Sequence, residues 1–251
     1  MAAITPSTMA KSLLIKVLTP QFVSRLKVFA LRRRWLRRVF RLRYFGLNAL
    51  DQTLEQYLDF ENGYFVELGA NDGVNQSNTL YFEWFRGWRG LLIEPYAENF
   101  KELIRNRSQQ NVFRNVACIG PEFSGNSVQL VYSNLMTSTL GVNSDIGDAI
   151  QHANEGARFW GGKTFSFEAP AATLNQLLSE ALAPTLIDLL SLDVEGAELE
   201  VLKGVDHSKF RFRYLCVESR SITEVQNFLE NHQYQLAARL SPHDYLFSNL
   251  T

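Results

Sequence analysis

Cysteine is scarce. Cys118 and Cys216 are the two in 251 residues, too few for a disulfide framework. Both fall in apolar, strand-like runs, NVACIG and YLCVES, and read as small buried hydrophobes in a chain suited to a reducing compartment. No apolar run reaches about 18 residues, so no membrane span is expected. The opening MAAITPSTMAKSLLIKVL lacks the charged-then-apolar order of a secretory leader. The four histidines show no metal-ligand spacing. His207 and His232 follow helical stretches and are expected to bind backbone carbonyls or water. Internal repeats are absent. Acids are missing from residues 1–50, which carry 11 Lys/Arg and no Asp or Glu. The remaining 14 bases face all 26 acids in residues 51–251, so a basic arm precedes an acidic domain.

What is present is enough apolar residue, 46%, for a real core. In the arm, Phe22, Leu26, Phe29, Leu36 and Phe40 recur at helical spacing amid arginines, which predicts a basic helix over 22–44. That helix suits a peripheral position on an anionic membrane surface, from the cytoplasmic side. A transit segment, packing on its own domain or a dimer partner, and nucleic-acid binding are the other readings. The acidic domain would repel phosphates, so nucleic acid is disfavoured. Oligomeric state is not legible.

From residue 63 strand and helix patterns alternate. YFVEL (64–68), GLLIEP (90–95), NVFRNVACI (111–119), SVQLVYS (127–133), LIDLLSLD (186–193) and YLCVES (214–219) read as strands. Helices are expected over 76–86, 98–106, 173–182, from about 197, and over 222–231. YQLAARL (234–240) and DYLFSN (244–249) read as a closing antiparallel pair. The expected fold is α/β and Rossmann-like: a mostly parallel sheet with helices on both faces and an antiparallel C-terminal hairpin. The domain division is a basic helical arm over 1–50 and a catalytic domain over 51–251. Residues 134–163, rich in Gly, Asn, Ser and Thr, form a long insertion with one short helix near 146–157, expected to cover the acceptor. His152 lies in it. The hydroxyls of SNLMTSTLG (133–141) face either substrate or an ordinary polar turn.

Chemistry concentrates in VELGANDG, Val66–Gly73. An apolar strand ends in a glycine turn that opens a helix, where Gly69 permits the turn and Gly73 a close approach. Glu67 can accept hydrogen bonds from a cationic amine. Glu94, 25 residues after Gly69, ends the next strand, where a carboxylate suits ribose hydroxyls. The dinucleotide fingerprint is incomplete, because the middle glycine is missing and Asp72 would meet a pyrophosphate as a like charge. A zwitterionic sulfonium ligand fits better, which favours S-adenosylmethionine over NAD. In SLDVEGAELEVLKG (191–204), Asp193 ends a buried strand beside the expected crevice, with Glu195 next to it. Glu198 fits the site or a helix N-terminus equally. Asp193 and Glu218 end neighbouring strands. Either acts as a general base, or the two hold Mg²⁺ or Mn²⁺ to acidify a hydroxyl. His243, in SPHDY, is a further candidate base.

These stretches resemble the FkbM family of methyltransferases: FVELGANDGVNQSNT (65–79), WRGLLIEPYAENFKEL (88–103), FRNVACIG (113–120), ATLNQLL (172–178) and SLDVEGAELEVLKGV (191–205). The resemblance covers about 63–248 and leaves out the basic arm. It implies a class I methyltransferase fold and, usually, O-methylation of sugar or polyketide-derived hydroxyls; a carbohydrate or glycolipid is the expected acceptor, and the basic arm suits a lipid-linked glycan. By that resemblance Glu67, Gly69, Ala70, Asn71, Asp72, Gly73 and Asn78 form the methionine side of the cofactor site. Glu94 and Pro95 hold the ribose, and Asn115 and Val116 wall the adenine. Asn175 departs from the Asp usual after Thr-Leu. Two rival readings stand beside this one: an NAD-dependent oxidoreductase, and an inactive membrane-attached interaction module.

Overall fold

Strand β1 (Tyr64–Leu68) is apolar on both faces, as a strand sandwiched between helical layers must be. A computed structural model describes residues 43–133, 136–140, 149–160 and 164–250, so the basic helix expected over 22–44 lies almost wholly outside the described residues. Parallel to β1 run β2 (Arg89–Ile93) and then β3 (Val112–Arg114) on one side. On the other run β8 (Leu186–Leu192) and β9 (Arg211–Glu218). The chain closes with β10 (Tyr234–Arg239) and β11 (Asp244–Asn249), an antiparallel hairpin whose second strand pairs antiparallel with β9. The order is β10-β11-β9-β8-β1-β2-β3. Strand order reverses between β1 and β8, and the carboxyl ends there border a crevice.

Alternation along β1 feeds two cores. Val66 and Leu68 join Leu190, Leu192, Leu215 and Val217 beneath α5 (Leu174–Glu180), α6 (Glu198–Lys203) and α7 (Ile222–Asn231). Phe65 turns the other way, to Leu54 of α1 (Leu50–Glu55), Tyr81 and Phe82 of α2 (Leu80–Arg86) and Leu103 of α3 (Ala97–Asn106). Each such fully buried side chain is worth about 1.5–3 kcal/mol of transfer free energy. Both cysteines are free thiols buried in these cores, which raises their pKa. The result is a Rossmann-like α/β layering with helices on both faces of a mainly parallel sheet.

A second sheet departs from expectation. The run 111–119 is not one strand: β3 ends at Arg114, and β4 (Ala117–Cys118) belongs to another sheet, of order β4-β7-β5-β6. Asn115 causes the break. Its Nδ2 donates to the carbonyls of Glu94 (2.8 Å) and Pro95 (2.9 Å), pinning the chain across the end of β2. The other members are β5 (Ser127–Tyr132), β6 (Ser138–Thr139) and β7 (Phe165–Ala172). Strand β7 is not among the expected strands, and it contains Pro170. The nitrogen of Pro170 faces away from β5, to which Ala171 N–H donates at Asn126 O, so no β5 ladder bond is lost. Helix α4 (Ala149–Trp160) matches the short helix expected in the insertion, with a shift of about one turn.

Candidate active site

The turn after β1 is built around a buried ion network. Helix α2 starts at Leu80, not at 76, because the preceding residues serve Glu67. Its carboxylate accepts from Ser77 Oγ (3.0 and 3.1 Å), Asn78 N (3.0 Å), Thr79 Oγ1 (2.6 Å) and Arg107 Nη1 (3.1 Å). The Arg107 side chain is fully buried and also pairs with Glu83 at 2.7 Å. Its remaining donors reach Gly73 O, Ser77 Oγ and Thr79 Oγ1. Glu67 and Arg107 therefore shape the turn from behind. Asp72 caps it, accepting from Val74 N (2.9 Å) and Asn75 N (2.8 Å). Gly69, at φ 75°, lies so close to β8 that a Cβ would sit 2.1 Å from Asp193 O. Gly73 faces Leu103 and Arg107, so its glycine serves packing.

Glu94 closes β2 and is buried. Its two oxygens accept separately from Asn71 N and Tyr96 N, both at 2.9 Å. Each keeps a lone pair for a further donor. Burial, opposed by those two hydrogen bonds and helped by Asp72, pushes its carboxyl up to about 7.

Across the crevice, Asp193 follows β8. Its Oδ1 is buried with no hydrogen-bond partner. The carboxyl hydrogen-bonds Glu218 at the end of β9, and burial with the charges of Glu218, Glu195 and Glu198 raises its pKa well above the usual carboxylate range. Glu218 is itself pushed up to about 7, chiefly by burial and then by Glu195 and Asp244. The pair can hold one proton and one negative charge near neutrality, the condition a general base needs. Glu195, in the left-handed region at φ 54°, meets His152 Nε2 of α4 at 2.9 Å and Arg220 Nη2 at 3.3 Å. Glu198 accepts from Val194 N and Gly196 N and so caps the loop.

The small sheet roofs the crevice. Antiparallel register puts Leu130 opposite both Thr139 and Phe167, and Tyr132 opposite Phe165, so all five share one face. Leu130, Thr137 and Thr139 line the cavity with Gly69, Asn71, Glu94, Pro95, Val116, Asp193 and Glu195. It is an open crevice, with about 780 Å³ of empty space that includes solvent at its mouth. Beside Glu94 stands an aromatic rim: Tyr96 and Tyr132 have centroids 4.2 Å apart, and Tyr132 stacks on Phe165 at 4.9 Å. Burial, then Tyr96, Glu94 and Asp72, push the Tyr132 phenol up to about 12.

Of the residues expected at the site, Gly69, Asn71, Glu94, Pro95, Val116, Asp193 and Glu195 line the crevice. Glu67, Ala70, Asp72, Gly73, Asn78, Asn115 and Glu218 are not in its wall, Glu218 standing behind it against Asp193. The structure does not bring His243 to the crevice: it is exposed in the β10–β11 turn, its carbonyl accepting from Ser219 N. His207 and His232 bind the carbonyls of Leu202 and Phe228. Sequence reasoning missed Arg107 and the aromatic rim. The alternation Phe165, Phe167, Ala169 signalled the rim. Nothing in the sequence marks Arg107 among its neighbours. Among the described residues, no group of three or more His, Cys, Asp or Glu is placed to hold a metal ion.

Among known families, the methyltransferase FkbM domain matches residues 67–236. No curated protein matches the chain. Among solved structures it is similar to the precorrin-6y C5,15-methyltransferase from Geobacter metallireducens GS-15, at 9% identity and TM-score 0.43, covering 80% of this chain and 86% of that one. It is similar to the METTL16 methyltransferase domain at 12% identity and TM-score 0.42, covering 80% of this chain and 65% of that one. A third likeness, to a fibrillarin/Nop5p complex, has 11% identity and TM-score 0.40, covering 88% of this chain and 82% of that one. These are distant likenesses; the family match and the strand order carry the assignment.

Proposed function

Because this chain belongs to the FkbM methyltransferase family, a class dependent on S-adenosylmethionine, we propose that it methylates a hydroxyl of a sugar carried on a glycan or glycolipid. The observation that carries this reading is Asp193 in the crevice wall beside Glu218, with its Oδ1 buried and without a hydrogen-bond donor. A dry carboxylate oxygen with no donor favours a ligand that brings one, as a hydroxyl does.

The crevice fits the cofactor. Glu94 has an acceptor site left on each oxygen for paired ribose hydroxyls, and Pro95 and Val116 offer apolar walls for adenine. When bound, S-adenosylmethionine supplies an electrophilic methyl group that leaves sulfur as the new C–O bond forms. The protein's task is alignment and proton removal. The proton of the acceptor hydroxyl passes to Asp193 and is held by the Asp193–Glu218 pair, while both electrons of the O–H bond stay on the attacking oxygen. The products are a methyl ether and S-adenosylhomocysteine. Asp193 and Glu218 are also the carboxylates that Mg²⁺ or Mn²⁺ would use. Their mutual hydrogen bond favours the shared proton, and no step here needs a metal.

The aromatic rim supports a sugar. Ring faces carry negative potential and receive the polarised C–H groups of a pyranose, and Phe165, 40% exposed, lies on the same sheet face as Leu130 of the crevice lining. The test supplies purified full-length chain with methyl-labelled S-adenosylmethionine and a panel of methyl glycosides and lipid-linked oligosaccharides. Alkali-stable label on sugar supports the reading. Label that alkali releases, or label on nitrogen, refutes it.

We propose further that the arm, whose 11 bases and interleaved Phe, Leu and Trp suit an anionic surface, brings the chain to a membrane-borne acceptor. Each base near such a surface contributes about 1 kcal/mol. Among the described residues no helix is long and apolar enough to cross a membrane. The full chain should sediment with anionic vesicles, less in high salt, and a chain starting at Asn48 should not. Equal sedimentation of the two removes the membrane role.

A further inference from the structure

Strand β6 is only two residues long and exists by pairing with β5, Thr139 against Leu130 and Ser138 against Val131. Directly opposed residues in an antiparallel pair share a face, so Thr139 points with Leu130 into the crevice and Ser138 points the other way. The two hydroxyls fare differently. Ser138 Oγ donates to Met136 O at 3.4 Å. Thr139 is 8% exposed, and its Oγ1 is dry and has no partner. Thr137, also in the lining, has its Oγ1 engaged by Ser133 N at 3.2 Å.

Among the described residues four buried side-chain polar atoms lack a partner: Tyr64 Oη, Thr139 Oγ1, Asp193 Oδ1 and His207 Nδ1. Only Thr139 and Asp193 of these line the crevice, one from the roof and one from the floor. A desolvated hydroxyl with nothing to bind is a cost in the free protein. Valine would fill the same space without it, so the hydroxyl is explained by a ligand that satisfies it.

The ligand portion is set by which sheet carries the residue. The groups suited to the cofactor, Glu94 and the turn after β1, belong to the large parallel sheet. Thr139 belongs to the small sheet that roofs the crevice, on the same face as Tyr132 and Phe165. We propose that Thr139 is an acceptor-binding, specificity-determining residue: its hydroxyl holds a second hydroxyl of the sugar whose neighbouring hydroxyl is presented to Asp193. This rests on the sugar reading above. It predicts that the preferred acceptor carries vicinal hydroxyls with an apolar ring face toward the aromatic rim.

The test compares full-length wild type, Thr139→Val and Thr139→Ser in three measurements. These are thermal unfolding, calorimetric titration with S-adenosylhomocysteine, and initial rates with methyl mannoside, rhamnoside and glucoside, each beside a deoxy analogue lacking the neighbouring hydroxyl. Thr139→Val is expected to unfold no lower than wild type and to bind S-adenosylhomocysteine unchanged. Its kcat/KM for the vicinal glycoside should fall about threefold to tenfold, chiefly through KM, with Thr139→Ser restoring it. It should lose the wild type's preference over the deoxy analogue. An active wild type matched by Thr139→Val on every glycoside overturns the assignment and leaves the sugar reading standing. Weakened S-adenosylhomocysteine binding makes Thr139 a cofactor contact and also overturns it. No transfer to any glycoside by wild type overturns the sugar reading and this inference with it.

Discussion

Glu94→Gln separates two consequences of burying one carboxylate. In the free protein its carboxyl titrates near 7 and not at its ordinary 4.5, because burial outweighs the hydrogen bonds from Asn71 and Tyr96. Between those values the folded chain keeps a proton that the unfolded chain has released. The folded state binds more protons, so stability is highest below 4.5 and is lost progressively as pH rises through 7. At about 1.4 kcal/mol per pH unit the total is roughly 3 kcal/mol, an order-of-magnitude figure. Glutamine stays neutral, but its amide nitrogen cannot accept as the hydroxyl of a protonated glutamate can, so one of the two backbone donors loses its partner at a pH-independent cost of about 1–3 kcal/mol. Near pH 5 the variant should therefore be the less stable by about that amount. Between pH 5 and pH 8 the difference should move in the variant's favour by about 2–3 kcal/mol. Urea unfolding at fixed temperature from pH 5 to 8 measures the difference, and subtraction cancels Asp51, Asp193 and Glu218, whose raised pKa values act in the same direction. Cofactor binding should change in the opposite sense. Ribose hydroxyls need the ionised carboxylate, so S-adenosylhomocysteine affinity should fall in wild type below pH 7, and at pH 8 the variant should bind about tenfold or more weakly. A stability difference flat across pH refutes the buried-charge argument; equal affinities at pH 8 refute the ribose role.

Asp193→Asn should keep S-adenosylhomocysteine affinity and lose most turnover, and wild-type turnover should rise with pH through about 7 as the Asp193–Glu218 pair becomes able to take a proton. Full activity in the variant removes Asp193 from the mechanism, and abolition by EDTA with rescue by Mg²⁺ or Mn²⁺ would replace the proton pair with a metal. Arg107→Ala should lower stability by about 3–5 kcal/mol, because it strands Glu67 and Glu83 as buried charges, and chemical denaturation reads it directly. A loss under about 1 kcal/mol would show that the network does not hold the turn.

The parallel core was legible because its strands are short apolar runs between turn residues, and period alone separates them from the helices. Residues Ile222–Asn231 form a helix over the range the pattern gave. The C-terminal hairpin was legible for the same reason. The small sheet was not. Its β4 is two residues inside a run that looks like one strand, and the switch from one sheet to the other depends on where Asn115 finds carbonyls, a tertiary fact.

At the site, sequence order identified which strand ends matter but not what each carboxylate faces. Glu67, the penultimate residue of β1, and Glu94 and Asp193, just after β2 and β8, stand at strand ends of one sheet and look alike in sequence. They differ in partners. Glu67 is surrounded by donors from its own turn and by Arg107, forty residues on. Glu94 has one backbone donor on each oxygen and capacity left over. Asp193 has an acid for a neighbour and one oxygen with no donor. A carboxylate saturated by the protein shapes a site, one half-saturated can receive neutral hydroxyls, and one left short of donors beside another acid is driven to take up a proton. Those three roles follow from counting donors around each oxygen, and the chain supplies most of those donors from segments that sequence spacing alone does not bring together.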